Sequence, residues 1–288
     1  MFIATLIAQG LKQGQVEAAR AALAAAGCAP GEPAWIDAGA AADIPFTEAP
    51  EAARIALRGP FDVAVQPAEG REKRLLIADM DSTMITVECI DELADYAGIK
   101  PQIAAITEQA MRGALDFAAA LAARVALLEG LEEKVLATCL AERVRLTPGA
   151  QALVRTMRAR GAEAVLVSGG FTAFAEPVAA EIGFARALAN RLEIADGRLT
   201  GRVLPPIVDA AAKERLLRER AARRGLALTE TLAVGDGAND LPMLRAAGMG
   251  IAFRAKPAVA AAADARIDRG NLTAVLHLQG IARRDWAD

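Results

Sequence analysis

Residues 75–85 read Leu-Leu-Ile-Ala-Asp-Met-Asp-Ser-Thr-Met-Ile: four apolar residues, then Asp79 and Asp81 two apart, then Ser82 and Thr83. An apolar run without polar alternation is what a strand covered on both faces needs, and such strands belong to parallel sheets flanked by helices. In those sheets ligands bind in the crevice beyond the carboxyl ends of the strands, so this segment delivers two carboxylates to a binding edge. A free aspartate has a pKa of about 3.9, so Asp79 is an anionic nucleophile at neutral pH without help from a base. A second aspartate two residues on can protonate a leaving alkoxide if its surroundings raise its pKa. Taken alone, Asp-x-Asp fits a turn or a helix cap equally well.

The same arrangement recurs downstream. Residues 164–167, 232–234 and 250–253 are further short apolar runs, and the sequence between them is helical in pattern, which predicts an α/β fold around a Rossmann-like parallel sheet. The first of these runs ends in Ser168-Gly169-Gly170, whose hydroxyl and backbone amides suit a phosphoryl oxygen, although an ordinary tight turn would look the same. The second ends in Asp236-Gly237-Ala238-Asn239-Asp240, a cluster of oxygen ligands of the kind Mg²⁺ takes, where zinc would want His or Cys. Lys213 falls at the start of a helix capped by Asp209, where a cation opposes the helix dipole and a nearby anion would explain it. Thr147 is the expected N-cap of the helix before the 164–167 run, with Pro148 at its first position and Gly161 at its end, and Asp196-Gly197 reads as a hairpin turn.

Two regions break the alternation. Residues 87–145 are helical throughout, with breaks near Gly98, Gly113 and Gly130, and read as a helical cap inserted after the first core strand. Residues 1–70 read as a small α+β domain, with strands at 2–7, 34–36 and 61–65 and helices at 15–26 and 49–57. The hydrophilic stretch 66–74, with Pro67 and Gly70, places the boundary, leaving 71–288 as the larger domain.

Bulk properties narrow the function. The chain of 288 residues is 54% hydrophobic with a formal net charge of −3, and no element carries a basic run with interleaved aromatics, so a nucleic-acid partner is not expected. No apolar stretch reaches the roughly 18 residues of a membrane span. Cys28, Cys89 and Cys139 are scattered and odd in number, which suits a reducing cytoplasm. The one histidine, His277, is expected near the surface of a C-terminal helix, so the chemistry falls to carboxylates. The sequence leaves open a homodimer.

Together and in this order, the four segments resemble the haloacid dehalogenase superfamily of phosphotransferases. Its motifs match at Asp79 and Asp81, at Ser168, at Lys213, and at Asp236 with Asp240, and none of these departs from the phosphatase pattern. The resemblance covers roughly residues 75–270. Within the superfamily, the stretches DMDSTMITVECIDELA, SGGF, ANRLEI, DGRLTG and VGDGANDLPML look like the members that release L-serine from phosphoserine, the last step of serine biosynthesis.

The resemblance implies that Asp79 becomes phosphorylated while Asp81 acts as general acid and then base. Ser168, Gly169 and Lys213 would hold the phosphoryl group, with Gly170 and Asn239 also on the substrate. Mg²⁺ would sit on the Asp79 carboxylate, the Asp81 backbone carbonyl and Asp236, supported by Asp240. From the cap, Glu88 would meet the substrate ammonium and Arg124 its carboxylate, with Met111 and Phe117 lining the pocket. Each cap residue, read without the resemblance, is an ordinary member of an amphipathic helix.

Other readings are weaker. Cys139 and Arg145 satisfy Cys-x5-Arg, but the intervening residues lack the glycine a phosphate-cradling loop needs. A dehalogenase would have no use for Asp81. A phosphatase or phosphotransferase for another small ester stays open, as does an amino-acid-binding regulator, since residues 1–70 faintly resemble an ACT domain.

Overall fold

The computed structural model describes residues 1–112 and 114–287. Strand β5 (Leu75–Ala78) has no exposed residue, and its alternate side chains enter two different cores. Leu76 and Ala78 join the larger cluster, while Leu75 and Ile77 join the one built with α9 (Ala210–Arg223) and α10 (Leu241–Ala246). Burying such a side chain is worth about 1.5–3 kcal/mol, so both faces are held.

Around β5 the seven-stranded sheet runs in the order β11-β10-β9-β5-β6-β7-β8. The other members are β6 (Glu163–Phe171), β7 (Arg186–Ala195), β8 (Arg198–Leu204), β9 (Thr231–Gly235), β10 (Met249–Phe253) and β11 (Ala265–Ile267). All neighbours pair in parallel except β7 and β8, an antiparallel hairpin turned at Asp196 (φ 51°) and Gly197 (φ 71°), as the Asp-Gly pair predicts. Because β5 pairs with β6 on one side and β9 on the other, the chain reverses direction of travel across the sheet at β5. That switch point leaves a crevice at the carboxyl ends of these three strands.

Helix α9 is capped as expected, the Asp209 carboxylate accepting the Ala212 N–H at 2.8 Å. The Thr147 expectation fails. Helix α7 (Ala150–Ala159) starts after Gly149 in the left-handed region, and Thr147 is instead held in an extended crossing with its N–H on the Met84 carbonyl at 2.9 Å. A Cβ at Gly149 would lie 2.7 Å from the Thr273 backbone nitrogen, so tertiary packing sets the helix start here. Ile85 and Leu146 bridge one another, so the chain enters and leaves the cap through two adjacent antiparallel segments. The cap holds α3 (Cys89–Tyr96), α4 (Lys100–Met111), α5 (Phe117–Ala126) and α6 (Lys134–Arg143); the expected break at Gly113 lies outside the described residues.

A separate four-stranded antiparallel sheet has the order β2-β3-β1-β4, from β1 (Phe2–Ile7), β2 (Ala34–Asp37), β3 (Ala41–Phe46) and β4 (Asp62–Pro67). Helices α1 (Gln13–Ala25) and α2 (Pro50–Ala56) complete a β-α-β-β-α-β order. Strand β3 is absent from the sequence reading because Asp43 and Pro45 interrupt its apolar pattern. In the fold Asp43 accepts from the Thr5 hydroxyl (2.7 Å) and from Arg71 (2.6 Å), which satisfies a carboxylate that local sequence marks as unfavourable in a strand.

The face of this sheet turned away from its helices meets the C-terminal segment, with Ile7, Ala41 and Ala64 joining the larger core and polar side chains set among them. Buried Asp62 accepts from the backbone N–H groups of Asp268, Arg269 and Gly270 at 2.8–3.2 Å, and Gln66 donates to the Leu278 carbonyl at 2.5 Å. His277, expected near the surface, is only 5% exposed, and its Nε2 lies 2.8 Å from Asp37. Of the remaining helices, α8 (Thr172–Ile182) and α11 (Pro257–Ala260) pack on the larger sheet, while α12 (Ala274–Leu278) packs against β1 of the small sheet. Asp62→Ala strands three backbone donors at once, so it should destabilise the protein by about 2–4 kcal/mol, read as a lower urea midpoint at unchanged slope. A change within about 0.5 kcal/mol would show that water replaces the carboxylate there.

Candidate active site

Parallel pairing brings the ends of β9, β5 and β6 to one edge, and the Asp79 N–H bonds the Val234 carbonyl at 3.0 Å. After Asp79 the chain makes a wide turn, closed by the Ile85 N–H on the Met80 carbonyl at 3.0 Å. Ser82 takes a left-handed φ of 55° within it and donates to Glu88 at 2.7 Å. The turn sends Asp81 toward both the cap and β6. One Asp81 oxygen accepts the Cys89 N–H at 2.9 Å and the other the Ser168 hydroxyl at 3.1 Å. Gly170 lies so close that a Cβ would be 2.8 Å from the Asp81 carboxylate.

Lys213 is completely buried, with Nζ 2.6 Å from Asp79 Oδ1 and 2.7 Å from Asp240 Oδ1. The second Asp240 oxygen accepts the N–H groups of Asp236 and Gly237 at 3.1 and 3.0 Å. Gly235 is needed for this approach, since a Cβ there would sit 2.5 Å from the Asp240 carboxyl carbon. Thr83 donates to Asp236 at 3.2 Å. Asp79, Asp236 and Asp240 each place a carboxylate oxygen within 4.8 Å of the others.

The electrostatics follow from burial. Loss of solvent raises the pKa of Asp79, Asp240 raises it further, and Lys213 opposes both. Asp236 is pushed up to about 6 by burial and by Asp240. Burial acts to lower Lys213, but the Asp79 and Asp240 carboxylates outweigh it and hold the ammonium above its ordinary range. Lys213 is therefore the fixed cation, and three carboxylates against one ammonium leave surplus negative charge in a crevice with little water. An all-oxygen donor set carrying that surplus fits a hard divalent cation.

Asp81 is raised by burial, against the Cys89 N–H and Ser168 bonds that favour its ionised form. Glu88 is exposed to solvent at the cleft yet crowded by protein, and loss of hydration together with the charge of Asp81 raises its pKa to about 7. Arg124, on α5, is half-buried, and its Nε donates to the Ala120 carbonyl at 3.3 Å. Burial lowers its pKa while Asp91 and Glu88 act the other way, so the cation lies in the field of both. The Phe117 ring comes within 3.1 Å of where a Gly169 Cβ would be, which puts it against the β6 turn. The Met111 side chain lies outside the described residues. Asn239 stands in the turn before α10, where its side-chain oxygen would collide with any Cβ at Gly237.

The structure thus gathers these residues at one sheet edge in two hydrogen-bonded groups, Asp79 with Lys213, Asp240 and Asp236, and Asp81 with Ser168 and Gly170. Two contributors escape the sequence reading. Thr83 orients Asp236, and buried Asn190 bonds the carbonyl of Gly169 at 2.9 Å. Both lie inside stretches quoted for the resemblance, DMDST and ANRLEI, but nothing local says where their side chains go.

The haloacid dehalogenase-like hydrolase family matches residues 76–245, more than half of the chain, and the chain belongs to that family. It is 50% identical over 226 residues to the phosphoserine phosphatase of Streptomyces coelicolor, an alignment covering 78% of this chain and 55% of that one. Over 202 residues it is 48% identical to the phosphoserine phosphatase of Idiomarina loihiensis, covering 70% of this chain and 91% of that one. The unliganded crystal structure of a probable phosphoserine phosphatase from Vibrio cholerae superposes with a TM-score of 0.79 at 32% identity, covering 99% of this chain and 87% of that one. The chain spans about half the length of the Streptomyces relative.

The raised carboxylates give a test of the metal site. Asp236 near 6 and Glu88 near 7 keep protons in the folded state that the unfolded chain, with ordinary carboxyl pKa values of about 4, has already lost. The metal-free protein should therefore lose stability as pH rises from about 4 to 7. Mg²⁺ should flatten the Asp236 part of that slope, and Glu88→Gln should remove the part nearest pH 7. Melting temperatures with EDTA and with Mg²⁺ across this range check both; identical curves would leave the carboxylate cluster without a cation.

Proposed function

We propose that the chain is a Mg²⁺-dependent phosphatase that hydrolyses phosphoserine through a phosphoaspartate on Asp79. The observation that carries the reading is the convergence of Asp79, Asp81, Ser168 and Lys213 at one sheet edge, in a chain 48–50% identical to phosphoserine phosphatases over most of its length. We read residues 1–70 as a separate small domain and 71–288 as the phosphatase domain with its cap. No helix of the described residues is long and apolar enough to cross a membrane.

Asp79 is the attacking carboxylate. Lys213 already holds one of its oxygens, which fixes the side chain and leaves the ammonium beside the incoming phosphoryl group. Charge builds on the equatorial oxygens of phosphorus in the transition state, so a buried cation there acts without reorganisation. As the ester bond breaks, Asp81 gives its proton to the serine oxygen; burial favours the protonated form this requires. The same carboxylate then takes a proton from the water that attacks the phosphoaspartate. Ser168, which donates to Asp81 in the free protein, can turn its hydroxyl to a phosphoryl oxygen. Asp79, Asp236 and the Asp81 backbone carbonyl would hold Mg²⁺, with Asp240 behind them; the ion neutralises phosphoryl charge when bound.

Substrate choice rests on the cap. Phosphoserine presents an ammonium and a carboxylate beyond its phosphate, and Glu88 with Arg124 supplies one group of each sign near the cleft. The Arg fork can bind both oxygens of a carboxylate.

Asp79→Asn should fold normally and lose all steady turnover, because the amide is nearly isosteric but a poor nucleophile. Measurable turnover by the purified variant would overturn the covalent route. Arg124→Ala should lower kcat/KM for phosphoserine by about 2–4 kcal/mol. Phosphoethanolamine lacks the carboxylate, so it should start as a poor substrate and lose much less. Equal losses for both would assign Arg124 to the fold and remove the support for phosphoserine.

A further inference from the structure

Strands β6 and β7 pair at Val167 with Leu188 and again at Phe171 with Asn190. Between those pairs β6 has Ser168, Gly169 and Gly170, whereas β7 has only Ala189. Three residues opposite one cannot stay in a ladder, so the turn leaves the sheet as a wide bulge. Its polar groups need partners from elsewhere.

Asn190 supplies them. Its side chain is fully buried, and Nδ2 donates to the Gly169 carbonyl at 2.9 Å and to the Val208 carbonyl at 3.4 Å. Its Oδ1 accepts the Val208 N–H at 2.7 Å. The amide orientation is fixed by this pattern, because a flip would put an oxygen against two carbonyls.

Two consequences reach the reacting centre. The Gly169 carbonyl and the Gly170 N–H belong to one trans peptide and point in opposite directions. Anchoring the carbonyl on Asn190 therefore aims the Gly170 N–H away from it, where it donates to Ser168 Oγ at 2.8 Å. With that lone pair engaged, the Ser168 proton is directed outward, and it lies on Asp81 at 3.1 Å. Val208, meanwhile, directly precedes Asp209, the cap of the helix that carries Lys213. One side chain thus ties the Ser168–Gly170 turn to the base of the lysine helix, two elements distant in sequence that must grip the same phosphoryl group.

We infer that Asn190 is a positioning residue for phosphoryl binding, setting the distance and direction of the Ser168 turn relative to Lys213. This rests on the phosphatase reading above, but it concerns the phosphate and is independent of which alcohol carries it. Asn190→Ala removes the tie without adding a charge. Isothermal titration with inorganic phosphate in the presence of Mg²⁺ should show at least tenfold weaker binding than the parent, while L-serine, which engages the cap side, should bind within about twofold of the parent.

A purely structural role would lower the melting temperature and weaken both ligands alike, or neither, and either result overturns the inference. Asn190→Ser, which keeps a short donor and acceptor, should recover part of the phosphate affinity. Failure of both variants to fold would assign Asn190 to the core and overturn it too. A parent protein that binds phosphate but neither binds serine nor hydrolyses phosphoserine would sink the substrate reading alone, and loss of phosphate affinity in Asn190→Ala would still uphold the inference.

Discussion

A lysine ammonium with no solvent exposure lies between Asp79 and Asp240, and the rest of the site is arranged around it. Removing three charges from water costs several kcal/mol per ion, recovered only when geometry and additional hydrogen bonds are good. Here they are supplied from several directions. Asp240 is fixed by two backbone amides on its second oxygen, Gly235 has no side chain to block it, and Asp209 caps the helix that delivers Lys213. The carboxylates exceed the cation in number, which leaves the centre short of positive charge and suited to a divalent ion and a phosphoryl group together.

The fold makes this arrangement possible because three parallel strands end at one edge. Asp79 and Asp236 follow β5 and β9, and Ser168 lies near the carboxyl end of β6, so residues separated by up to 157 positions in the chain meet at one edge. Asp81 is shared between the sheet and the cap: one oxygen faces β6 through Ser168, the other the first turn of α3 through Cys89.

The N-terminal sheet connects to the Ile85–Leu146 crossing by a chain of contacts. Asp62 on its helix-free face holds the backbone of residues 268–270, and the residues that follow pack on the start of α7, where Leu272 N–H bonds the Pro148 carbonyl at 3.1 Å. This explains why polar residues such as Asp43, Asp62 and Gln66 occur in strands: their partners are on the other sheet's C-terminal segment or on the linker between the two.

Much of this was legible from local sequence. Apolar runs ending in Asp, Ser or Gly set the core strands, and the spacing of glycines and prolines set the cap helices and the hairpin, because burial on both faces and backbone permissiveness are properties of a few adjacent residues. The resemblance supplied the roles of Asp79, Asp81, Ser168 and Lys213. Tertiary structure alone decided where unpaired polar groups find partners. Strand β3 forms although Asp43 and Pro45 interrupt its pattern, helix α7 begins at Gly149 instead of Thr147, and His277 is buried against Asp37. Thr83 and Asn190 became visible as parts of the site only in the fold, since a hydrogen bond between residues far apart in sequence leaves no periodicity or spacing by which either partner could be read.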